Sequence, residues 1–429
     1  VSAMLIRFEV ENFRSIREPV ELSMVAVDDR GTVREKPTMG VSLLPVAAIY
    51  GPNASGKSNM LRALQWLCHA VHNSLRAWED DIPVEPFAFG AIAGSDSSFA
   101  LEMEIDGVRF EYLLDVGRQK VTYEALYHYP TGRRRKIFER DGHELSLQRG
   151  LGELSGTRAM LTERSLALSI MRRFNEPLTG TFAAAVINMV TLGRPLRASR
   201  MRDIIPWTTM RLFEAGVYDD QPHLDPEYEQ QSIAQMRRDR AISLLRLADL
   251  GIADVEIETE QSPQDDLAST RTPWLRKSVY LLHEADGQMM PLDFMEESAG
   301  TQTWFQLIGP VLRALDTGSV VLIDELDASL HPILTAKVVE LFQGQGSNPH
   351  GAQLIFTTHD TNLLNDLKRD EVWLAQKDAS GATKFGPLSD FAGGLVRQSR
   401  NLENSYLSGR FGGLPDVSRP EVLRALGIL

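Results

Sequence analysis

Cysteine is almost missing from this chain. Cys68 is the single one in 429 residues, which excludes a disulfide framework and a thiolate metal site. A lone thiol in a helix-like stretch is expected to be a buried structural side chain. Long apolar runs are lacking as well, and none reaches the roughly 18 residues that a membrane span needs. Met4-Leu-Ile-Arg-Phe-Glu-Val-Glu11 carries charges where a secretory leader would be apolar, so the expectation is a cytoplasmic protein with no membrane partner. There is no surplus of basic residues either. Lys and Arg number 45 against 58 Asp and Glu, a net charge of −13, which argues against a surface that wraps nucleic acid as a whole. A local nucleic-acid contact stays open at Arg133-Arg-Arg-Lys136, at Arg194, Arg197, Arg200 and Arg202, and at Arg237-Arg-Asp-Arg240. Each of these also reads as an ordinary solvated turn or helix face.

No internal repeat and no low-complexity segment occurs, and 43% hydrophobic with 24% charged residues is ordinary globular composition. The length suits one large α/β domain with an insertion, or two to three smaller domains. Prolines at 195, 206, 222 and 226 exclude one long coiled coil through the middle of the chain.

What is present begins at Gly51-Pro-Asn-Ala-Ser-Gly-Lys57-Ser58-Asn59, which fits G-x-x-x-x-G-K-[ST] and follows the apolar run Val46 to Ile49. Glycines at Gly51 and Gly56 let backbone NH groups curl around phosphate oxygens, with Asn53 and Ser55 between them and a helix start pointing its positive end at the anion. Lys57 would reach the outer phosphates of ATP, and Ser58 would meet Mg2+. Far downstream, the apolar strand Val320-Val-Leu-Ile323 runs into Asp324-Glu325, with both carboxylates at the strand's C-terminal end, where α/β sheets collect ligands. Asp324 is expected to hold the metal shell and Glu325 to orient the attacking water.

Two further strings bear on the site. Glu297-Ser298-Ala-Gly300-Thr301 precedes the helix-like Trp304 to Leu315. Ser298 and Gly300 at a helix start suit a cap or an anion, here one held by another copy of the chain, because the phosphate loop already forms the first cradle. Gln353-Leu-Ile-Phe-Thr-Thr-His359-Asp360 is a strand ending in a histidine placed to donate to a terminal phosphate.

Around these strings, Leu5 to Phe13 and Val20 to Val27 alternate like strands. Phe99 to Ile105, Val108 to Leu114 and Val121 to Tyr127 form a β-rich lobe, with Asp106-Gly107 as a hairpin signal. Met160 to Phe174 and Ser232 to Leu250 have helical spacing, Asp254 to Glu258 and Val279 to His283 return to strand, and Gln261 to Thr272 reads as a polar loop. The division expected is residues 1–150 for the first half of the head, 151–252 for a helical insertion, 253–395 for the second half and 396–429 for a tail.

Taken in order, GPNASGKSN, ESAGT, VVLIDELDASLHP and LIFTTHD, with Asn12-Phe-Arg-Ser15 near the start, resemble the ABC-type ATPase heads of the RecF and SMC group. The phrases LLPVAAIYGPNASGKSN and ESAGTQTWFQL, and the tail Asn404-Ser-Tyr-Leu-Ser-Gly-Arg-Phe-Gly-Gly-Leu-Pro415, are similar to the RloA-type ATPases of bacterial restriction and phage-defence loci. The resemblance covers most of residues 4 to 415 and is weakest from about 155 to 250. It implies an α/β head, a P-loop sheet plus an antiparallel β lobe with a helical insertion, in which two copies sandwich two ATPs and each signature serine meets the partner's nucleotide. Two departures stand out: ESAGT replaces the LSGGQ of transporters, and the Q-loop glutamine has no clear position, Gln148 being a candidate.

The expectation is an ATP-hydrolysing, Mg-dependent switch in anti-phage defence that acts as a homodimer or larger homo-oligomer. Chains of the OLD type continue into a Toprim nuclease, whereas about 70 residues follow His359 here. A separate nuclease or Toprim-type effector is therefore expected. The alternatives are a DNA-repair or chromosome-maintenance ATPase that binds DNA directly, and a scaffold that binds ATP and rarely hydrolyses it.

Overall fold

The computed structural model describes residues 2–27, 34–36, 40–90, 94–174, 176–192, 205–214, 227–248, 251–261, 275–285, 287–388 and 402–407. In chain order the strands and helices begin with β1 (Ala3–Glu11), β2 (Val20–Ser23), β3 (Arg34–Lys36), β4 (Val41–Leu43), β5 (Val46–Tyr50) and α1 (Lys57–Ala77). Then come β6 (Ser97–Ile105), β7 (Val108–Val116), β8 (Val121–Tyr129), β9 (Arg135–Asp141), β10 (Glu144–Leu147), α2 (Thr157–Met160), α3 (Ala167–Met171), α4 (Pro177–Ile187) and β11 (Val190–Leu192). The second half holds α5 (Trp207–Phe213), α6 (Glu227–Ala248), β12 (Ile252–Gln261), β13 (Leu275–Ala285), β14 (Gln288–Asp293) and α7 (Ala299–Thr317). It closes with β15 (Val320–Ile323), α8 (Pro332–Gln343), β16 (Gln353–Thr357), β17 (Val372–Lys377), β18 (Thr383–Pro387) and a short helix, Leu402–Leu407. The chain divides into two compact units, one of residues 1–194, 317–327 and 336–429, the other of residues 195–316 and 328–335.

Among its described residues the first unit carries two large sheets and the small antiparallel pair β3–β4. One is ordered β11-β15-β16-β5-β17-β18, and its first five strands run parallel. Val46 to Tyr50, Val320 to Ile323 and Gln353 to Thr357 are buried throughout, which is why they read as continuous apolar runs rather than alternating ones. The other sheet is antiparallel, ordered β10-β9-β8-β7-β6-β1-β2. Its β6–β7 hairpin closes at Asp106 and Gly107, with φ of 47° and 84°, the left-handed pair that a two-residue turn requires. Helix α1 buries Met60, Leu64, Leu67 and Val71 in a core shared with both sheets. There Trp66 stacks on Phe99 at 4.7 Å between centroids. Cys68 is buried in the same core, and burial pushes its thiol up to about 12, so it is no nucleophile.

A fully buried charge network ties the antiparallel lobe to α3. Glu124 accepts from Ala167 N at 2.6 Å, Leu168 N at 2.9 Å and the Tyr112 hydroxyl at 3.0 Å. Arg140, 3.9 Å away, donates to the carbonyls of Gly142, Ser165 and Thr162. Burial raises the Glu124 carboxyl against the opposing pull of Arg140.

The expected helix Met160 to Phe174 is absent as one piece. Thr162 N bonds Ser165 Oγ and Ser165 N bonds Thr162 Oγ1, each at 3.0 Å. These reciprocal side-chain bonds take the backbone out of a helical path, leaving α2 and α3 on either side.

The second unit packs α5, α6 and α7 with the antiparallel sheet β12-β13-β14. Phe305 of α7 lies 5.6 Å from Phe213 and 5.2 Å from Phe294, and Trp304 Nε1 donates to Leu244 O at 2.7 Å. Pro310 inside α7 cannot donate to the carbonyl of Gln306, and Thr209 Oγ1 does so instead at 3.3 Å. Gly309 permits that approach, because a Cβ there would collide with the Thr209 backbone. The spaced arginines Arg194, Arg197, Arg200 and Arg202, the loop 262–272 and the tail beyond Leu407 lie outside the described residues.

Candidate functional site

The first unit builds its site at the C-terminal ends of β5, β15 and β16. The turn from β5 into α1 needs glycine twice. At Gly51 (φ 149°) a Cβ would run into the Ala375 carbonyl, and at Gly56 (φ 103°) into Thr383 Oγ1. Ala54 also takes a left-handed φ of 63°, and Asn53 and Ala54 form an exposed crest. No side chain caps the N-terminus of α1. The hydroxyl of Ser55 is buried without a hydrogen-bond partner. A tight loop with an uncapped helix start and an orphaned buried hydroxyl fits a phosphate-bearing ligand.

Lys57 is buried and donates to the Gly51 and Pro52 carbonyls at 2.8 and 3.1 Å. Burial pushes its ammonium below the ordinary lysine range, against the pull of Glu325, Asp324 and Asp327. Ser58 Oγ donates to Asp324 Oδ1 at 2.7 Å, and Thr357 Oγ1 donates to the same oxygen at 2.8 Å. Thr357 Oγ1 also accepts from Glu325 N at 2.7 Å, which joins the ends of β15 and β16 to the loop. Glu325 itself is exposed, at a left-handed φ of 58°. His359 follows β16, its amide donating to both oxygens of Asp327 at 3.2 and 3.3 Å. Partial burial first, and then Lys57, hold its imidazole below the usual histidine range. The oxygen donors Ser58 and Asp324 suit Mg2+, a hard cation that keeps few protein ligands beside phosphate oxygens.

Thr383, which lies in no motif, links two of the motif strings. Asn59 Nδ2 donates to Ser15 Oγ at 2.6 Å, Ser15 Oγ lies 2.7 Å from Thr383 Oγ1, and Thr383 Oγ1 donates to Ser55 O at 2.9 Å. The Asn12-Phe-Arg-Ser15 turn thus braces the phosphate loop from one side. Asn12 fixes that turn, accepting from Phe87 N at 3.0 Å and donating to Ser95 O at 2.9 Å. Gln148 follows β10, the edge strand of the antiparallel sheet five places from β1, and its amide donates to Ile137 O at 2.9 Å.

Ser298 and Gly300 belong to the second unit. Ser298 is exposed and caps α7, its Oγ accepting from Thr301 N at 3.1 Å. Gln302 Nε2 donates to the carbonyls of Phe294, Met295 and Glu297, and His283 Nε2 sits 2.7 Å from Glu297 Oε1. A Cβ on Gly300 would meet Ser329 O at 3.0 Å.

The described basic runs are largely neutralised. Arg134 pairs with Glu111 at 2.8 Å over the Tyr127 ring, and Lys136 pairs with Glu139 at 2.9 Å. Arg237 and Arg240 share Asp316, and Arg238 pairs with Asp254.

A parallel sheet with a glycine-rich loop between β5 and α1 and an acidic strand end beside it, accompanied by an antiparallel lobe, is an α/β fold of the P-loop nucleotide-binding kind. A family model described as "AAA domain, putative AbiEii toxin, Type IV TA system" matches residues 46–170 and 194–365, and the chain belongs to that family. No curated protein matches the chain. Similar solved structures include an SMC head bound to the C-terminal winged-helix domain of ScpA, at 14% identity over 89% of this chain and 97% of that one, TM-score 0.44. The SMC head domain from Thermotoga maritima is also 14% identical, over 89% and 98%, TM-score 0.39. The Smc head domain from Pyrococcus furiosus with an extended coiled coil, bound to the C-terminal domain of ScpA, gives 14% over 95% and 98%, TM-score 0.44. Among the described residues no helix is long and apolar enough to cross a membrane.

Proposed function

We propose that the chain binds and hydrolyses ATP as a nucleotide-driven switch in a bacterial defence module, and that closure between two copies controls a separate effector. The observation that carries the ATPase reading is the bond from Ser58 to Asp324, which couples the phosphate loop to the acidic strand end at 2.7 Å. In this reading the loop amides and Lys57 bind the phosphates, and Ser58 with Asp324 hold Mg2+. When bound, the ion supplies Lewis-acid neutralisation of phosphate charge. Glu325, exposed at its strained turn, orients the attacking water and takes up its proton. His359, neutral at physiological pH, donates to the terminal phosphate.

Ser298 completes the site of a second copy, its exposed position at the start of α7 being suited to reach outward. The family's description as a putative toxin of a type IV toxin–antitoxin system supports a role in defence against phage. In the described basic runs Arg134, Lys136, Arg237, Arg238 and Arg240 are paired with carboxylates, which weighs against the direct DNA-clamp alternative. The direct test is ATP turnover and binding by the wild-type chain and Lys57→Ala. Loss of the charge-assisted phosphate contact should abolish both; retained turnover in Lys57→Ala would sink the site assignment.

A further inference from the structure

The short helix Leu402–Leu407 lies in the first unit, against the segment that follows His359. That segment runs from Asp360 into the tight turn Thr361–Asn365, and Asp360 caps the turn by accepting from Asn362 N at 3.0 Å. Glu403 of the helix grips the turn at two points, accepting from Asn365 Nδ2 at 2.8 Å and Thr361 Oγ1 at 3.4 Å. Tyr406, buried, meets the Tyr50 ring edge-on with centroids 5.7 Å apart. Tyr50 is the last residue of β5, directly before Gly51, and its hydroxyl donates to the Asp360 carbonyl at 3.0 Å. Burial raises that hydroxyl well above the ordinary tyrosine range, so it stays a donor at any physiological pH.

His359 is therefore held from two sides. Asp327 takes its amide on one side, and the Tyr406–Tyr50–Asp360 chain together with Glu403 fixes the backbone on the other. The phosphate loop has separate supports, Thr383 beneath Ser55 and Asp324 beside Ser58.

We propose that the Leu402–Leu407 helix is a positioning element for His359: Tyr406 and Glu403 hold the histidine loop in register with the phosphate site, so hydrolysis requires the docked helix while nucleotide binding does not. This rests on the reading of His359 as a hydrolytic residue. Neither tyrosine nor Glu403 touches the nucleotide in this scheme. A partner that took up the helix would lower turnover without competing for ATP.

The test uses the full chain, with Mg-ATP turnover and equilibrium ATP binding measured for Tyr406→Ala, Glu403→Ala and Glu403→Gln, and hydrogen exchange followed across residues 358–366. Misplacing a catalytic group by a fraction of its reach should cost about 10- to 100-fold in kcat in both alanine variants. KM and ATP affinity should stay within about 2-fold, the pattern of an interaction lost only in the transition state. Exchange over residues 358–366 should quicken while α1 keeps its protection, and Glu403→Gln should retain activity because its amide oxygen can accept from Asn365 while its NH2 donates to the Thr361 hydroxyl. Unchanged kcat in the alanine variants, or loss of ATP affinity and α1 protection in step with kcat, would overturn the proposal alone. A wild-type chain that turns over no ATP would overturn the ATPase reading and this proposal with it.

Discussion

Ser58 Oγ and Asp324 Oδ1, 266 residues apart in the chain, lie 2.7 Å apart in the fold. Thr357 donates to the same carboxylate oxygen and also accepts the Glu325 amide, so the ends of β15 and β16 and the start of α1 meet at one carboxylate. A charge-assisted bond of this kind contributes about 1.5–3 kcal/mol, enough to fix the loop's seat but small beside its consequence for metal binding. Asp324→Asn keeps the accepting oxygen and removes the charge. The expected outcome is a folded chain whose ATP binding without metal is unchanged, whose affinity no longer rises with Mg2+, and whose turnover falls by about 10²-fold or more. Titrations of ATP with and without Mg2+ check this; an unchanged metal dependence would remove Asp324 from the metal site.

His359 makes a prediction about pH. Burial and Lys57 hold its imidazole below the ordinary value of 6.5, so the acid limb of the turnover profile should lie below pH 6.5 and vanish in His359→Gln. Linkage fixes the sign of the stability effect. Between the folded-state value and 6.5 the unfolded chain binds more protons than the folded one, so this group's contribution to stability falls as pH drops through that window. A limb above 6.5 that persists in His359→Gln would assign the titration to another group.

Ser298→Arg places bulk and charge at the exposed start of α7. ATP binding by one chain should persist while ATP-dependent association between copies is lost. Calorimetry for binding and light scattering for size separate the two, and loss of both together would indicate damage to the second unit's own packing.

The elements that the fold brings together were legible because they lie in contiguous strings. Val46 to Asn59, Val320 to Glu325 and Gln353 to His359 each combine a buried strand with the residues at its C-terminal end, and the strand at Val320 begins and ends where the apolar run does. Residues that act singly were not legible. Thr383 holds the loop through a lone hydroxyl that no spacing marks out, and Thr357, inside a quoted string, was given no role of its own. Strand β14 escaped notice because Gln288-Met-Met-Pro-Leu-Asp293 does not alternate and contains Pro291, which an edge strand tolerates. At Met160 to Phe174 the apolar spacing was helical, but Thr162 and Ser165 bond each other's backbone and override it.

Glu325→Gln tests the central claim most directly. The substitution leaves the Glu325 amide free to bond Thr357 and removes the carboxylate that would activate water, a loss of roughly 10²- to 10⁴-fold for a general base. Sedimentation velocity of this variant with and without Mg-ATP should show ATP binding intact, turnover stalled and an assembly of two or more copies accumulating only with nucleotide. A variant that binds ATP, fails to hydrolyse it and stays at the same size with and without nucleotide would contradict closure between copies.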